Sequence, residues 1–390
     1  MLSILQTNQS NKPYVQFVTS GFSGCRAFRC SFVADALNWV EGIGTKVIEV
    51  PYPILDNSFL NATKAILFKS PVNKVCYEQL VKPLADVKAK MGLKLLADYD
   101  DIPCYIDGEV TLPWHPWGGE VRKPEEDEWF LKMAPLFDHI LVTNEYMARK
   151  LNERTHTNNY VIVPNTVPRF LFSSPRKPAI TEDKKVFHIV GTGCPLHSLG
   201  PHKDADGKDV PGQPGDWASA EWVEFLKRGV TDGYIRYTQM GNQNWLLKDI
   251  QDKIQTVPWV PPLRYGSLLA RLNPDICIAP LVPCVFNRCK SDLRGIECQI
   301  TSSVLMGSSF EEGPYERYPE LCKIPQGYTA DQLKDRLFEI GQKDNWNSIV
   351  DWGWKDLLDN GRITESDQAL ERYVTLFGST PKNIVPFDIL

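Results

Sequence analysis

The sequence predicts an α/β fold with two successive domains, each built on a parallel sheet. Its 390 residues are too many for one ordinary core, because domains average roughly 150 residues. Short apolar runs alternate with amphipathic helical segments, which is typical of parallel sheets covered by helices on both faces. Residues 173–185, rich in Pro, Ser and Lys, interrupt this alternation as an interdomain connection does. We therefore predict two Rossmann-like, doubly wound domains facing across a cleft, at residues 1–170 and 171–365, and a C-terminal helix in 366–390 that crosses back to the first.

The first series opens with a strand, a loop and a helix. Residues 14–20 have the pattern of a buried strand, 21–26 form a glycine-containing loop, and 28–40 have the period of an amphipathic helix. Further strands are predicted at 46–50, 64–68, 93–97 and 139–143, with a helix at 73–91.

The second series repeats the alternation. Strands are predicted at 186–190, 233–238, 256–257, 276–279 and 304–306, and helices at 218–228, 263–271, 291–300, 330–342 and 365–376. Ligands of open α/β sheets bind outside the carboxyl ends of the strands, so the cleft is the expected site. The long loop 194–217 has the composition of a lid, a binding loop or a disordered segment.

Composition limits the class of protein. The net charge of −5 gives no overall cationic field, so nucleic acid would need a local basic patch. Ten cysteines in a chain without a signal peptide indicate reduced thiols in a cytoplasmic protein. Cys284, Cys289 and Cys298 lack the paired short spacing of a zinc site, so no metal is predicted. No apolar run approaches the ~20 residues that span a bilayer.

Residues 275–297, here called the donor segment, carry the functional argument. A strand ends at Pro280, a loop holds Asn287, and a helix is predicted to begin near Ser291 with Glu297 inside it. A helix N-terminus offers free N–H groups and a positive dipole end, which suit phosphate oxygens. Lys290 adds a charge, Ser291 a hydroxyl, and Glu297 an acceptor for a vicinal diol such as a ribose. These parts predict a cradle for a nucleotide diphosphate.

The donor segment resembles that of group 1 (retaining) glycosyltransferases of the GT-B fold, particularly a phage and bacterial subset. The shared order is Ala-Pro-Leu, Phe-Asn, Lys-Ser and a helix glutamate, at 279–281, 286–287, 290–291 and Glu297. The resemblance implies that Glu297 contacts the donor ribose and Lys290 the diphosphate. The common pattern has a second glutamate eight residues earlier, where this chain has Cys289, so contacts to the sugar are expected to be unusual. The resemblance implies retention of anomeric configuration, which the missing glutamate weakens.

A second predicted donor contact follows the first strand of the second domain. Gly191 and Thr192 occupy the strand-to-loop turn, and His197 follows in the loop. Glycines let a backbone approach phosphate closely. The order resembles the corresponding loop of the same family, which implies donor binding by all three.

Three groups of the first domain are predicted to lie on the acceptor side. Ser23 and Arg26 belong to the loop 21–26, where Arg26 has the chemistry to stabilise a leaving diphosphate or is an exposed arginine at a helix start. Asp98, Asp100 and Asp101 follow a strand and resemble an Asp-x-Asp-Asp run of the same family; Asp100 is our choice for a base and the other two for acceptor contacts. A solvated acidic turn is the alternative. His115 stands between tryptophans able to stack on a sugar or a base.

The predicted activity is transfer of a hexose or pentose from a nucleotide-sugar, with a UDP-type donor favoured, to a hydroxyl. The resemblance implies that no metal or other cofactor is needed. A hydroxymethylated pyrimidine in phage DNA, which places the protein in the host cytoplasm, is slightly favoured as acceptor over a surface glycan or lipid-linked sugar. Lys82, Lys88, Lys90, Lys94, Arg122 and Lys123 are the candidate DNA contacts. A non-catalytic nucleotide-sugar-binding module is the alternative from another class.

Overall fold

The computed structural model describes residues 14–19, 26–40, 43–49, 63–104, 124–172, 176–193, 200–203, 207–212, 215–217, 220–241 and 244–378. The described residues up to Pro168, together with 360–378, form the first compact unit, and the described residues from Arg169 to Asp359 form the second.

The first unit is built on a six-stranded parallel sheet in the order β2-β1-β3-β4-β5-β6. Its strands are β1 (Tyr14–Thr19), β2 (Gly44–Glu49), β3 (Thr63–Lys69), β4 (Lys94–Asp98), β5 (His139–Val142) and β6 (Tyr160–Ile162). The chain reverses its direction of progress across the sheet between β1 and β3. Such a switch point leaves a crevice at the carboxyl ends of the strands, where Thr19 and Lys69 lie.

The helices of the first unit begin with one turn of π-helix at Ala27–Ser31, here called the wide turn. The others are Phe32–Leu37, Lys74–Cys76 with a second wide turn Tyr77–Val81, Lys82–Met91, Pro124–Met133, the short Ala134–Leu136, Glu145–Thr155 and Asp367–Leu376. Asp367–Leu376 brings Tyr373 and Val374 into the same buried cluster as Val15 and Phe17. This late segment therefore completes a core that begins with β1.

The second unit has a six-stranded parallel sheet in the order β11-β10-β7-β12-β13-β14. The strands of this unit are β7 (Phe187–Gly193), β8 (His202–Lys203), β9 (Asp209–Val210), β10 (Ile235–Gly241), β11 (Gln255–Val257), β12 (Ile276–Ala279), β13 (Val304–Ser309) and β14 (Lys323–Pro325). The short β8 and β9 form an antiparallel pair of their own. With that pair set aside, the order is the 3-2-1-4-5-6 arrangement of dinucleotide-binding sheets, whose ligand crevice opens at the carboxyl ends of β7 and β12.

Helices connect the strands of this second sheet. They are Arg169–Phe172, Ala220–Asp232, Pro262–Leu272, Val285–Arg288, Leu293–Ile300, Ala330–Gly341 and Lys343–Asp359, with shorter 3₁₀ segments at Gly215–Trp217, Trp245–Lys253 and Glu320–Cys322. Within the described residues, none of the helices has the length and apolar character of a transmembrane span.

The predicted fold class is confirmed by these two parallel sheets and their helices. β12 coincides with its predicted range, whereas β7 runs past 190 to Gly193 because its backbone pairs with β10 along that whole length. The helices Glu145–Thr155 and Lys343–Asp359 were not predicted. The second unit ends at Asp359 and not at 365, and residues 360–365 join the first unit through the bridge between Val167 and Ile363.

Candidate functional site

The loop after β12 is fixed by a carboxylate from outside the donor segment. Asp216 Oδ1 accepts hydrogen bonds from Asn287 Nδ2 at 2.7 Å and from the backbone N–H of Val282 at 3.2 Å. Asn287 Nδ2 also donates to the Val282 carbonyl at 2.9 Å, and its side chain is fully buried. The Asn287 side chain, which was predicted to contact the donor, thus forms hydrogen bonds inside the loop and fixes its conformation. Asp216, which sequence reasoning missed, holds it there.

A depression borders this braced loop at the carboxyl ends of β12, β13 and β14. Its lining includes Asp216, Leu281, Val282, Ser308 and Gln326. Ser308 Oγ accepts from the Leu281 N–H at 2.9 Å, and Gln326 Nε2 donates to the Leu281 carbonyl at 3.2 Å. The backbone that follows β12 is therefore held on both sides, as a preorganised binding loop requires.

Lys290 and Ser291 lie between this loop and the next helix. The Lys290 ammonium stands 4.4 Å from the centroid of the Phe286 ring, and both residues are half-buried. The helix begins at Leu293, later than predicted, with Asp292 at its N-cap position. Asp292 Oδ2 accepts from Arg317 Nε at 2.8 Å and Nη2 at 2.6 Å. Its charge lies at the positive end of the helix dipole and is balanced by Arg317.

Glu297 lies on this helix, Leu293–Ile300, here called the Glu297 helix. Its side chain is 3% exposed, and its Oε2 accepts from Tyr265 Oη at 2.9 Å and Arg294 Nη1 at 2.5 Å. Oε1 receives no hydrogen bond from the part of the chain that the structure describes. Burial raises the pKa of Glu297, and the nearby Arg294 partly offsets that rise. One anchored and one uncommitted oxygen suit a carboxylate that accepts from a ligand hydroxyl.

Tyr265 and Arg294 were not identified from the sequence. Arg294 precedes Glu297 by three residues on the helix, a spacing at which side chains meet. The sequence was therefore sufficient to predict this contact. Tyr265 comes from the helix Pro262–Leu272, and its contact depends on how two helices lie around β12. No local pattern carries that information.

Gly191 and Thr192 lie at the carboxyl end of β7. Gly191 pairs within the ladder with Gln239 and Ile278, and a Cβ on it would lie 2.1 Å from Tyr237 Oη. Packing against Tyr237 thus accounts for this glycine without reference to a phosphate. Thr192 is half-buried at the strand end. His197, Ser23 and His115 lie outside the described residues, so their predicted roles stay predictions.

In the first unit, Asp98 is buried at the end of β4. Its carboxylate accepts from Arg29 Nε at 3.1 and 2.9 Å and forms a short ion pair with Arg29 Nη2. Arg29 also donates to the Val163 carbonyl at 2.5 Å and to Asn165 Oδ1 at 3.1 Å. These contacts give Asp98 an internal structural role, and its predicted contact with an acceptor stays a prediction. Arg29 was missed because a buried arginine on a helix gives no distinctive pattern.

Asp100 is held by a second buried cation. Lys69 Nζ lies 2.5 Å from Asp100 Oδ1 and 2.9 Å from Asp98 Oδ1. The Asp100 side chain is 13% exposed, whereas Asp101 is exposed to solvent. Arg26 is half-buried at the start of the wide turn, with no side-chain capping bond. Of the three aspartates, Asp100 combines a fixed carboxylate with access to the sheet edge.

Comparisons with known proteins address the fold. Neither the models of protein families nor the sequences of curated proteins match this chain. Among solved structures, a glycosyltransferase from Rickettsia africae ESF-5 is similar with a TM-score of 0.58 and 14% identity, over 94% of this chain and 98% of that chain. WaaG gives 0.52 and 10%, over 93% and 99%, and TarM gives 0.51 and 12%, over 82% of this chain and 55% of TarM. The two sheets and these similarities together show that the chain has the GT-B fold.

Proposed function

We propose that this protein transfers a sugar from a nucleotide-diphosphate sugar, of the UDP type, to a hydroxyl acceptor. The observation that carries the proposal is Glu297. It lies on the helix that follows the switch-point strand β12, with Oε2 anchored by Tyr265 and Arg294 and Oε1 uncommitted in the described structure. A carboxylate so placed suits the vicinal hydroxyls of a ribose. The GT-B fold supports the same reading by analogy.

The proposed chemistry breaks the bond between the sugar anomeric carbon and the diphosphate oxygen. A new bond forms between that carbon and the acceptor oxygen, whose proton passes to the Asp100 carboxylate. The N-terminus of the Glu297 helix and Lys290 stabilise the charge that builds on the leaving diphosphate. The scheme uses no metal ion, because these groups take the charge. Arg26 is proposed as a further cation for that oxygen.

For the acceptor, we propose a hydroxyl on a glycan or lipid-linked sugar. Lysines considered for DNA have other partners: Lys82 pairs with Asp86, and Lys88 pairs with Asp138. Such pairing reduces the positive field that binding to DNA phosphates requires. WaaG is a glycosyltransferase involved in lipopolysaccharide biosynthesis, which favours an acceptor of that chemistry. Hydroxymethylated DNA is the second candidate, motivated by the phage-like donor segment.

Release of UDP from UDP-glucose tests the activity. The protein is incubated with UDP-glucose alone, with a lipid-linked glycan, and with hydroxymethylated DNA. We expect release that depends on the glycan. Release that depends on DNA would identify the other acceptor, and donor binding without release under any condition would identify a non-catalytic binding module. UDP-glucose that neither binds nor turns over contradicts a UDP-glucose site, and the same assay with GDP-sugars then tests the donor class.

Replacing Glu297 with Ala tests the donor site itself. We expect donor binding to weaken by about 1.5–3 kcal/mol, the usual size of a hydrogen bond to a charged group. The control is Glu339→Ala, a half-exposed glutamate on the helix Ala330–Gly341, which should leave affinity unchanged. Calorimetry with UDP measures both. Equal affinities for the wild type and Glu297→Ala would remove Glu297 from the proposed site.

A further inference from the structure

We infer that Lys69 is a positioning residue: it fixes the Asp100 carboxylate and keeps it ionised for the acceptor proton. The inference rests on the proposed function, in which Asp100 is the base. It names a residue and a supporting ion-pair chain that sequence reasoning did not single out.

The register of the sheet places Lys69 beside the aspartates. Lys69 is the last residue of β3, and its backbone partner in the parallel ladder is Asp98, the last residue of β4. The Lys69 side chain is 2% exposed. Its ammonium lies within 2.9 Å of Asp98 Oδ1, 3.4 Å of the Asp98 carbonyl oxygen and 2.5 Å of Asp100 Oδ1.

The chain of ion pairs runs from the interior to the sheet edge. Arg29 is anchored by the Val163 carbonyl and by Asn165, and it holds Asp98 through three contacts. Asp98, so fixed, holds Lys69, and Lys69 holds Asp100. Of the four charged side chains, Arg29, Lys69 and Asp98 are at most 2% exposed, and Asp100 is 13% exposed. Asp100 is the end of the chain that reaches solvent.

A purely structural explanation accounts for only half of this arrangement. Arg29 and Asp98 already neutralise each other. Adding the ammonium of Lys69 to the same interior carries a desolvation cost that an apolar residue at the end of β3 would avoid. That cost is offset by Asp100, which lies at the edge where this sheet has its switch point. A buried ion-paired group beside the crevice of a sheet is a candidate for a functional site.

The protonation states of the neighbours support the role. Burial disfavours charge on Lys69, but Asp100 and Asp98 outweigh it and raise its pKa. Burial and Asp98 raise the pKa of the Cys30 thiol on the wide turn, and burial raises the pKa of Tyr373 on the C-terminal helix to about 12. Arg29 remains protonated. In the neutral range these groups keep fixed charges, so a change in the acid limb of activity reports on the aspartates.

The test compares Lys69→Met with Lys227→Met. Lys227 forms an ion pair with Asp249 at 2.8 Å in the second unit, and neither residue belongs to the proposed site. We expect Lys69→Met to lower kcat about ten-fold or more without changing KM for the donor. This is less than the roughly 10²–10⁴-fold that a general base contributes, because Lys69 acts only through Asp100. The acid limb of its pH profile should move to higher pH. Lys69→Arg, which keeps the charge, should return the acid limb part of the way to its wild-type position. Lys227→Met should change neither kcat nor the position of the acid limb.

A double variant separates positioning from folding. If Lys69 acts through Asp100, Lys69→Met should have little further effect on kcat in an Asp100→Asn background. Independent, multiplying effects of the two substitutions would overturn the inference. An unmoved acid limb in folded Lys69→Met would overturn it as well.

A measurement without turnover keeps this inference separate from the proposed function. In carboxyl ¹³C NMR, the Asp100 titration midpoint should rise by about one pH unit or more in Lys69→Met, because a cation at this distance favours the charged carboxylate. An unmoved midpoint contradicts the inference even in an active enzyme. A shifted midpoint in a protein without transferase activity supports the positioning and rejects the function. If Lys69→Met does not fold, Lys69→Arg takes its place. Because it keeps the charge, its Asp100 titration midpoint should stay near the wild-type value and its kcat should stay above that of Asp100→Asn. A midpoint that rises in folded Lys69→Arg, or a kcat as low as that of Asp100→Asn, would contradict the inference.

Discussion

At the scale of single residues, the Arg29–Asp98 pair concentrates charge in the first unit. Both side chains are buried, and the guanidinium uses two further oxygen acceptors. A buried pair contributes little compared with apolar residues, but removal of one partner leaves an uncompensated charge. The pair therefore joins the wide turn to the carboxyl end of β4 and to the residues that follow β6.

We expect Arg29→Met to lower the free energy of unfolding by about 3–5 kcal/mol, the cost of breaking a buried pair. Asp98→Asn should cost less, because the amide keeps some hydrogen bonds to Arg29. Urea unfolding of both single variants and of the double variant measures the coupling. The double variant should lose less unfolding free energy than the two single variants lose together. Strict additivity would show that the two groups stabilise the unit independently.

Glu297 gives a prediction about pH. Its pKa is raised in the folded state by burial, so the folded protein holds this proton more tightly than the unfolded chain does. The associated stabilisation is fully present below the unfolded pKa of about 4.3 and is lost as pH rises through the folded value. The stability of the wild type relative to Glu297→Gln should therefore fall as pH increases across that window. Urea unfolding from pH 4 to pH 8 checks it, and a difference that rises with pH would contradict the burial of an ionised Glu297.

At the scale of elements, β7 and β10 determine why position 191 is glycine. A Cβ there would meet the Tyr237 hydroxyl at 2.1 Å and its ring at 3.0 Å. Tyr237 is buried and donates to Gln239 Oε1 at 2.7 Å. The ring cannot move away without breaking that bond and its packing in the core.

We expect Gly191→Ala to destabilise the protein by about 1–3 kcal/mol, the usual cost of overpacking. Tyr237→Phe removes the nearest atom, so it should recover part of this loss when combined with Gly191→Ala, although alone it loses a hydrogen bond of about 1 kcal/mol. Thermal unfolding of the two single variants and the double variant measures the recovery. If Gly191→Ala instead leaves stability intact and weakens donor binding, the glycine serves the ligand.

The elements also show what sequence can predict. β12 is a short apolar run and the Glu297 helix has an amphipathic pattern, so the sequence predicts both elements and the order in which they occur. The contact between Asp216 and Asn287 spans 71 positions, and that between Lys69 and Asp100 spans 31. The first joins a 3₁₀ segment to a helix after β12, and the second depends on β3 and β4 being neighbours in the sheet. Local patterns thus identified the aspartate run and Glu297 but not their partners.

At the scale of the whole molecule, the first unit is discontinuous in sequence. Its described residues extend up to Pro168 and resume after Asp359, and the described residues of the second unit occupy the chain between them. Thr166 and Thr364 share a hydrogen bond of 2.8 Å, and Arg362 donates to the Asn165 carbonyl at 3.2 Å. Residues 360–366 thus form hydrogen bonds with the earlier part of the first unit, ahead of the helix Asp367–Leu376.

We expect a chain ending at Asp359 to lose the cooperative unfolding of the first unit, because Leu370, Tyr373 and Val374 leave its core. Each fully buried apolar side chain contributes about 1.5–3 kcal/mol, so the loss is comparable to the stability of a domain. Hydrogen exchange should show lost protection in β1 and β3 and retained protection in β7 and β12. Equal protection of β1 and β3 in both chains would show that the returning helix is dispensable.

The split first unit also has a consequence for synthesis on the ribosome. Domains form as units while the chain emerges at about 5–20 residues per second. Residues 169–359 of the second unit emerge in one stretch, whereas the early strands of the first wait for Asp367–Leu376. For about 20–70 seconds at that rate, the apolar face that Val15 and Phe17 share with this helix has no permanent cover. A nascent chain of this protein thus depends on protection of β1 until the helix Asp367–Leu376 has been made.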